Sequence, residues 1–293
     1  MRFRYDTAER WWKGNTHIHS TVSDGGKTFA EIDRLYAGVG YDFLFATDHR
    51  VPGRVEQTMK AAALLWLNGI ELDGRDRTGA AYHVVCLGTV TGITSETPFI
   101  TALKKARNQN AILILAHPFF TGNTLEDTTR WKFDGVEIYN HVCRWLNGKS
   151  DGLVHWDAAL RQKPDTLAFA VDDAHLRPEH PGWNGGWIMV NAKTRSKVSI
   201  LRAIRSGNFY SSCGPEFHSI ALTGKNVVMT TSPVRFVRLV GPGMRGERLG
   251  SFAGKEMRKA SFVIPADWKH LYLEIEDRQG RRAWTNTLFT PGG

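Results

Sequence analysis

The chain has 293 residues, of which 42% are hydrophobic and 23% charged, and its formal net charge at pH 7 is +9. This composition excludes a disordered chain, and the length suffices for one large domain with a smaller unit beside it. No apolar run is long enough for a membrane span or a signal-peptide core, so we expect neither.

Eight short apolar runs alternate with helical patterns between residue 13 and about residue 205. They are 13-KGNTHIHS, 41-YDFLFATDH, 69-GIELD, 81-AYHVVCLGTV, 111-AILILAHP, 133-FDGVEIYN, 166-TLAFAVDDAH and 186-GWIMVNAK. Apolar runs of this length are typical of strands buried on both faces, as in a parallel sheet. The repeated β-α pattern predicts an α/β barrel or a doubly wound sheet.

The first predicted helix has the clearest boundaries. Thr28 and Glu31 form a capping-box pattern, and Gly38 with Gly40 supplies the end of the helix. Its apolar face is predicted to consist of Phe29, Ile32, Leu35 and Val39. Further helices are predicted at 53–67, 98–109, 153–162 and 197–206.

The pattern changes after Gly214 and Pro215. Segments such as 217-FHSIAL, 234-VRFVRLV and 270-HLYLEIED are short, partly alternating and separated by Gly/Pro turns. This spacing predicts an antiparallel β unit, a small sandwich beside the larger domain.

Five of the earlier runs end in, or just past, a histidine or an acid. These residues are His17, His19, Asp48, His49, Glu71, His117, Asp173 and His175. In a barrel, residues at the C-terminal strand ends meet at the mouth, where active sites form. A lone HxH motif or a lone Glu71 is a weak signal, and a histidine such as His83 can be a satisfied core residue. Together, imidazoles and carboxylates without thiolates predict Zn, Mn or Fe, and more than one ion.

In their order and spacing these motifs resemble the PHP (polymerase and histidinol phosphatase) family. The opening 13-KGNTHIHSTVSDGG, one helix and 40-GYDFLFATDH are similar to the family's first motifs. The blocks 70-IEL, 83-HVVCLG, 116-AHP, 135-GVEIYN and 172-DDAH follow in the family's order. The segments 201-LRAIRSGNFYSSCGPE and 272-YLEIEDRQGRRAWTNTLF resemble the CehA/McbA-like branch. The resemblance implies a distorted (β/α)7 barrel over residues 1–215 and a small sandwich-like β domain over residues 216–293.

The resemblance also implies which residues bind two or three divalent ions. The first ion would be held by His17, His19, Glu71 and Asp173. Glu71 would bridge to a second ion held by His83 and His117, and a third would be held by Asp24, His49 and His175. Asp48 and Glu137 would support the ligands without binding an ion.

Two positions depart from the family pattern. Ser or Thr often stands at the position of Asp172, so either Asp172 or Asp173 faces the ions, with the D-x-H spacing favouring Asp173. Arg50 replaces a common Asn or Asp. As an arginine at the mouth it would grip an anionic group such as phosphate, the alternative being a loop residue in solvent.

The implied activity is hydrolysis of a phosphate ester of a small metabolite or nucleotide by a metal-activated hydroxide. Asp24 or His175 would protonate the leaving oxygen. One alternative is a carboxylic or carbamate ester hydrolase, with an aromatic pocket from Trp145, Trp183 and Trp187. A second alternative is a non-catalytic metal-binding module.

The partners and the location follow from charge and cysteine usage. The positive charge suits a small anionic substrate, and no Lys/Arg stripe or known motif indicates nucleic-acid binding. Three cysteines without CxxC spacing, Cys86, Cys143 and Cys213, predict reduced thiols and a cytoplasmic protein.

Overall fold

The computed structural model describes residues 2–53, 55 and 62–290. We number the helices α1 to α7: Phe29–Ala37, Phe99–Asn108, Pro118–Thr121, Leu125–Arg130, His141–Asn147, Leu153–Gln162 and Lys197–Ser206. Strands β1 to β10 are Arg2–Phe3, Trp11–Asn15, Phe43–Ala46, Leu65–Arg75, Ala81–Leu87, Ile112–Leu115, Gly135–Asn140, Leu167–Val171, Trp187–Asn191 and Phe209–Ser212. Strands β11 to β18 are Phe217–Thr223, Asn226–Val234, Phe236–Val240, Gly246–Leu249, Met257–Val263, Tyr272–Glu276, Arg282–Thr285 and Phe289–Thr290. None of the helices in these ranges combines the length and the apolarity that a bilayer span requires.

The eight predicted apolar runs all contain strands, β2 to β9. They belong to a 13-stranded sheet with the order β14-β13-β16-β17-β10-β9-β2-β3-β4-β5-β6-β7-β8. The sheet is mixed and not purely parallel: β5 is antiparallel to β4 and β6, and β9 is antiparallel to β2. The short turn between β4 and β5 explains the first reversal, because a parallel crossover needs a dozen or more residues.

The ends of β2 and β8 lie side by side although the two strands stand far apart in the sheet order. Ile18 and Ala174 form a parallel bridge. The His19 amide donates to the Ala174 carbonyl at 3.0 Å, and the Asp173 amide donates to the His17 carbonyl at 3.0 Å. These bonds bring the segments after the two strands into contact.

Helices α6 and α7 have the predicted bounds, and α1 has the predicted capping box. The Thr28 side chain accepts from the Glu31 amide, and the Glu31 side chain accepts from the Thr28 amide. The predicted apolar face of α1 is wrong at one position, because Val39 lies beyond the helix and is exposed, whereas Tyr36 is fully buried. In the predicted helix 53–67, residues 54 and 56–61 lie outside the described residues, and residues 65–67 begin β4 instead.

The C-terminal strands are antiparallel, as predicted, but they do not all form a sheet of their own. Strands β11, β12 and β15 form a three-stranded sheet. Strands β13, β14, β16 and β17 continue the large sheet, because β17 pairs with β10. The N-terminal segment is joined to these strands as well, through pairing of β1 with β18 and through the Tyr5 hydroxyl, which accepts from the Asn286 amide at 2.7 Å. The same hydroxyl donates to the Phe209 carbonyl of β10 at 2.8 Å.

Candidate metal centre

The predicted ligands meet at one end of the sheet. His17 and His19 follow β2, His49 follows β3, His117 follows β6, and Asp173 and His175 follow β8. Glu71 and His83 lie within the hairpin β4–β5, and a parallel bridge between His49 and Glu71 sets the hairpin beside the end of β3. The neighbouring strands therefore deliver all of these side chains to a common region.

The first implied ligand set converges in a fully buried position. The His17 Nε2 atom lies 3.0 Å from Glu71 Oε2 and 3.2 Å from Asp173 Oδ1. The His19 Nε2 atom lies 3.2 Å and 3.1 Å from the same two oxygens. Within the described part of the chain, His17 Nε2 and Glu71 Oε2 have no hydrogen-bond partner. His17 Nδ1 contacts Glu137, so Nε2 of the neutral ring carries a lone pair. Lone pairs facing each other at this depth fit a bound cation.

The second implied set surrounds the other oxygen of Glu71. Glu71 Oε1 lies 2.9 Å from His83 Nδ1 and 3.5 Å from His117 Nε2. His49 Nε2 also lies near Glu71, 3.3 Å from Oε2. Five histidines therefore contact one carboxylate, which suits a residue that bridges two ions.

The third implied set lies at the outer side of the centre. Asp24 is 40% exposed, and its Oδ2 lies 3.2 Å from His175 Nε2 and 4.0 Å from His49 Nε2. Its Oδ1 lies 3.5 Å from His19 Nδ1, so His19 has one ring nitrogen toward each group. The described residues thus hold three groups with metal-ligand chemistry: His17, His19, Glu71 and Asp173; His49, Glu71 and His83; and His19, Asp24, His49 and His175.

Charge interactions in the centre outweigh the effect of burial. Burial alone would lower the pKa of His17 and His19, but the neighbouring carboxylates hold the pKa of His17 well above its usual range and raise that of His19 to about 9. Burial alone would raise the pKa of Glu71 and Asp173, but the histidines hold both well below their usual range. The buried, ionised carboxylates are therefore stable only beside positive charge, which protons on the histidines or metal ions can supply.

Asp24 is poorly suited to the acid role that the sequence suggested. Burial would raise its pKa, but a hydrogen bond from His175 and the charge of His19 lower it well below its usual range. An ionised carboxylate has no proton to give to a leaving oxygen. His175 Nδ1 lies 2.9 Å from the Asp173 carbonyl, which orients the ring with Nε2 toward Asp24.

The acids predicted as supports lie behind the ligands. Glu137 Oε1 lies 2.7 Å from His17 Nδ1, and Glu137 Oε2 accepts from the His117 amide at 2.9 Å. Asp48 accepts from the Ser20 amide at 2.8 Å and from the Ser23 hydroxyl at 2.7 Å, and so shapes the loop that carries Asp24. Both contacts are of the kind that orients ligands in metal sites.

Replacing Glu137 with glutamine should weaken metal binding about 10- to 100-fold, because His17 would lose the carboxylate that fixes its ring and its tautomer. Titration of the metal-free protein with Zn²⁺ or Mn²⁺ in competition with a chelator would measure the loss. Glu126→Gln is the matched control, since Glu126 is 83% exposed on α4. Equal affinities for the Glu137→Gln variant and the parent protein would contradict the supporting role.

The two adjacent aspartates after β8 have different surroundings. Asp172 accepts from the Tyr36 hydroxyl at 2.8 Å and from the Gly185 amide at 2.8 Å, away from the histidines. Asp173 faces the histidines, with φ of 56°. Asp173 is therefore the aspartate that lies in the centre.

The Arg50 side chain lies neither free at the mouth nor in solvent, the two placements that the sequence suggested. Its Nε donates to Asp73 Oδ1 at 3.2 Å, its Nη1 donates to the Thr97 carbonyl at 2.8 Å, and its Nη2 donates to the Asp73 carbonyl. The side chain is 18% exposed, so it is neither a solvated loop residue nor a free anion clamp. The reason is Asp73, which competes for the guanidinium and in turn lies 3.5 Å from His49 Nδ1.

The aromatic pocket predicted from three tryptophans is not formed as expected, because Trp183 and Trp187 pack elsewhere. Trp183 packs on Tyr36, with ring centroids 5.2 Å apart, and Trp187 lies under the Lys13 ammonium at 4.1 Å. Trp145 alone of the three lies near the centre, beside His180 with ring centroids 6.5 Å apart, and it is 52% exposed.

Sequence reasoning overlooked two residues of the centre, Asp73 and His180. A cavity lies beside the ligands and is lined by His49, Glu71, His83, His117, Asp173 and His175, among others. His180 also lines it and lies beside His175, with ring centroids 5.6 Å apart. Asp73 follows Glu71 by two residues on β4, a spacing that places both on one face and would have indicated it. The sequence has no comparable signal for His180, which reaches the centre from a loop. His141 lies 3.1 Å from the Tyr139 hydroxyl and does not line this cavity.

No family model matches the sequence, and no curated protein is significantly similar to it. Among solved structures, the chain is similar to a two-domain protein from Bacteroides vulgatus ATCC 8482 that contains a predicted PHP-like metal-dependent phosphoesterase. That similarity has a TM-score of 0.55 and 14% sequence identity and covers 98% of each chain. An amidohydrolase from Chromobacterium violaceum, with bound sulfate and no metal, shares 16% identity at a TM-score of 0.41 over 67% of this chain and 96% of that one. The α/β fold of this chain is thus similar to that of the Bacteroides protein over nearly the whole length of both chains.

Proposed function

We propose that the protein is a metal-dependent hydrolase of the PHP type, acting on a phosphate ester of a small molecule. The observation that carries the proposal is the buried convergence of His17, His19, Glu71 and Asp173, whose ring nitrogens lie 3.0 to 3.2 Å from the carboxylate oxygens. Adjoining groups around Glu71 and Asp24 would make the centre one of two or three divalent ions, of Mn, Zn or Fe. Bound there, such ions lower the pKa of water and neutralise charge on a phosphoryl oxygen.

The chain's own residues would position these ions and the substrate. Glu137 and Asp73 orient His17 and His49, and Asp48 holds the loop of Asp24. Asp24 is exposed at the outer side of the centre, where a substrate arrives, and its ionised carboxylate suits a ligand better than an acid. The closed arrangement of β2 and β8 at this end supports the barrel that the resemblance implies.

A carboxylic or carbamate ester hydrolase is the second candidate, and one observation favours it. The cavity at the centre is lined on one side by apolar residues, and the described residues that line it include neither lysine nor arginine. With Arg50 bonded to Asp73, histidines are the only side chains among these lining residues that can carry a positive charge, so the bound ions would have to balance most of the charge of a phosphate monoester. A phosphodiester or a neutral ester fits this cavity better than a monoester does.

The test is hydrolysis of p-nitrophenyl phosphate, bis-p-nitrophenyl phosphate and p-nitrophenyl acetate by metal-reconstituted protein, with metal counted per chain. We expect diester turnover with two or three ions, lost in His17→Ala and retained in His218→Ala, a surface variant with the side chain 51% exposed. Turnover of the acetate alone would select the second candidate. Turnover that persists in a metal-free His17→Ala variant would overturn both.

A further inference from the structure

The cavity beside the metal centre has a volume of about 120 Å³ and two unlike walls. One wall consists of His49, Glu71, His83, His117, Asp173 and His175. The other wall consists of the apolar residues Phe120, Val142, Cys143 and Leu146, and His180 also lines the cavity. The cavity could therefore bind a ligand that carries a polar reacting group next to an apolar group.

The apolar wall is fixed to the metal centre by hydrogen bonds. Asn140, which caps helix α5, donates to Glu137 Oε2 at 3.0 Å and to Asp173 Oδ2 at 3.1 Å, and its own oxygen accepts from the Cys143 amide. The Val142 amide donates to the Asp172 carbonyl at 3.0 Å. Helix α5 thus presents its apolar side chains at a set distance from the ligands.

The wall is neutral as well as apolar. Cys143 is buried, and burial raises the pKa of its thiol well above the usual range, so it remains uncharged. Phe120 packs edge-on against His117 with ring centroids 5.5 Å apart, yet 38% of its surface stays exposed. On the other side of the lining, the exposed Trp145 lies beside His180 with ring centroids 6.5 Å apart. Exposed apolar groups beside a pocket are typical of ligand sites.

We propose that this cavity is a subsite for an apolar group of aryl size attached to the scissile ester, and that Phe120, Val142 and Leu146 determine specificity there. An apolar cavity of about 150 Å³ accommodates benzene, and this one is smaller, so a single ring would lie partly in the mouth, against the exposed side of Phe120. The proposal rests on the proposed function only in taking the ester's reacting end to lie at the metal ligands.

Binding measured without turnover tests the subsite. Calorimetric titration of the metal-loaded full chain with phenylphosphonate and with methylphosphonate compares two ligands that share a metal-binding head. We expect phenylphosphonate to bind about 10- to 100-fold more tightly, the range for apolar contacts in such pockets. Benzoate against acetate repeats the comparison for a carboxylic head group, and a phenyl preference with both heads would show that the apolar contact does not depend on the head.

Leu146→Asn should reduce the phenyl preference to about threefold or less without weakening methylphosphonate, since asparagine adds polarity at similar size. Phe120→Ser is a second variant at a more exposed position, in case the first folds poorly. Leu222→Asn on β11, where Leu222 is 42% exposed, is the matched control. Equal binding of the two phosphonates by the parent protein, or equal weakening of both in Leu146→Asn, would overturn the subsite. Absence of ester turnover with the preference intact would overturn only the hydrolase.

Discussion

Glu71→Gln is expected to lose at least one metal ion per chain and more than about 100-fold in turnover, beyond the 10- to 100-fold typical of outer supporting residues. Glutamine keeps the shape of the side chain but replaces a charged oxygen with an amide group. Five histidines contact this carboxylate, two of them at 3.0 Å or less. Without its charge, the group with His49 and His83 has no carboxylate left, and the group with His17 and His19 has only Asp173.

Metal content by elemental analysis and turnover of the best substrate measure the two losses side by side. Glu247→Gln is the matched control, because Glu247 lies on the exposed edge strand β14. Circular dichroism of the variant separates loss of metal from loss of fold. A Glu71→Gln variant with full metal content and more than a tenth of the parent activity would refute the bridging role.

Metal affinity is expected to rise from pH 6 to about pH 9, by about tenfold per pH unit for each proton released. In the metal-free protein the pKa of His19 is about 9, above the 6.5 of a free histidine. At neutral pH the ring therefore holds a proton that an ion must displace. Calorimetric titration with Zn²⁺ in Hepes and in Tris, which differ in ionisation enthalpy, counts the protons released.

The free energy of unfolding of the metal-free protein should fall over the pH range in which metal affinity rises. A histidine whose folded pKa is raised contributes its full stabilisation below pH 6.5, and loses it as the pH rises through about 9. The carboxylates have lowered pKa values, so they stay ionised far into the acid range and do not reverse this trend near neutrality. The Tm of the metal-free chain should fall between pH 6.5 and 9 while the Tm gain on adding metal grows. No proton release, with an affinity independent of pH, would contradict this account.

The sequence was most informative where a local pattern fixes the structure. The capping box of Thr28 and Glu31, and the spacing of apolar residues over 153–162 and 197–206, depend on neighbours within a few turns. The strands were found for the same reason. The direction of each strand was not predicted, because a buried apolar run has the same sequence pattern in a parallel and in an antiparallel pair.

The centre was predictable as a set of residue types and less so as a set of contacts. The histidines and acids at strand ends were identifiable in order, and the structure brings them together. The orientation of Arg50 depended on Asp73, and the choice between Asp172 and Asp173 depended on Tyr36 and the backbone at Gly185. Those partners lie far away in the chain or across the sheet. His180 reaches the centre through loop packing, which no periodicity records.

The pairing of β10 on both sides has a consequence for how this chain can change over evolution. Its partner β9 lies before residue 215 and its partner β17 after residue 280. Tyr5 and Tyr210 are buried in the core that the C-terminal strands complete. Deleting those strands would leave β10 as an open edge, ready to recruit strands from other chains. The C-terminal unit is therefore not an exchangeable module, because any replacement must supply a strand in register with β10.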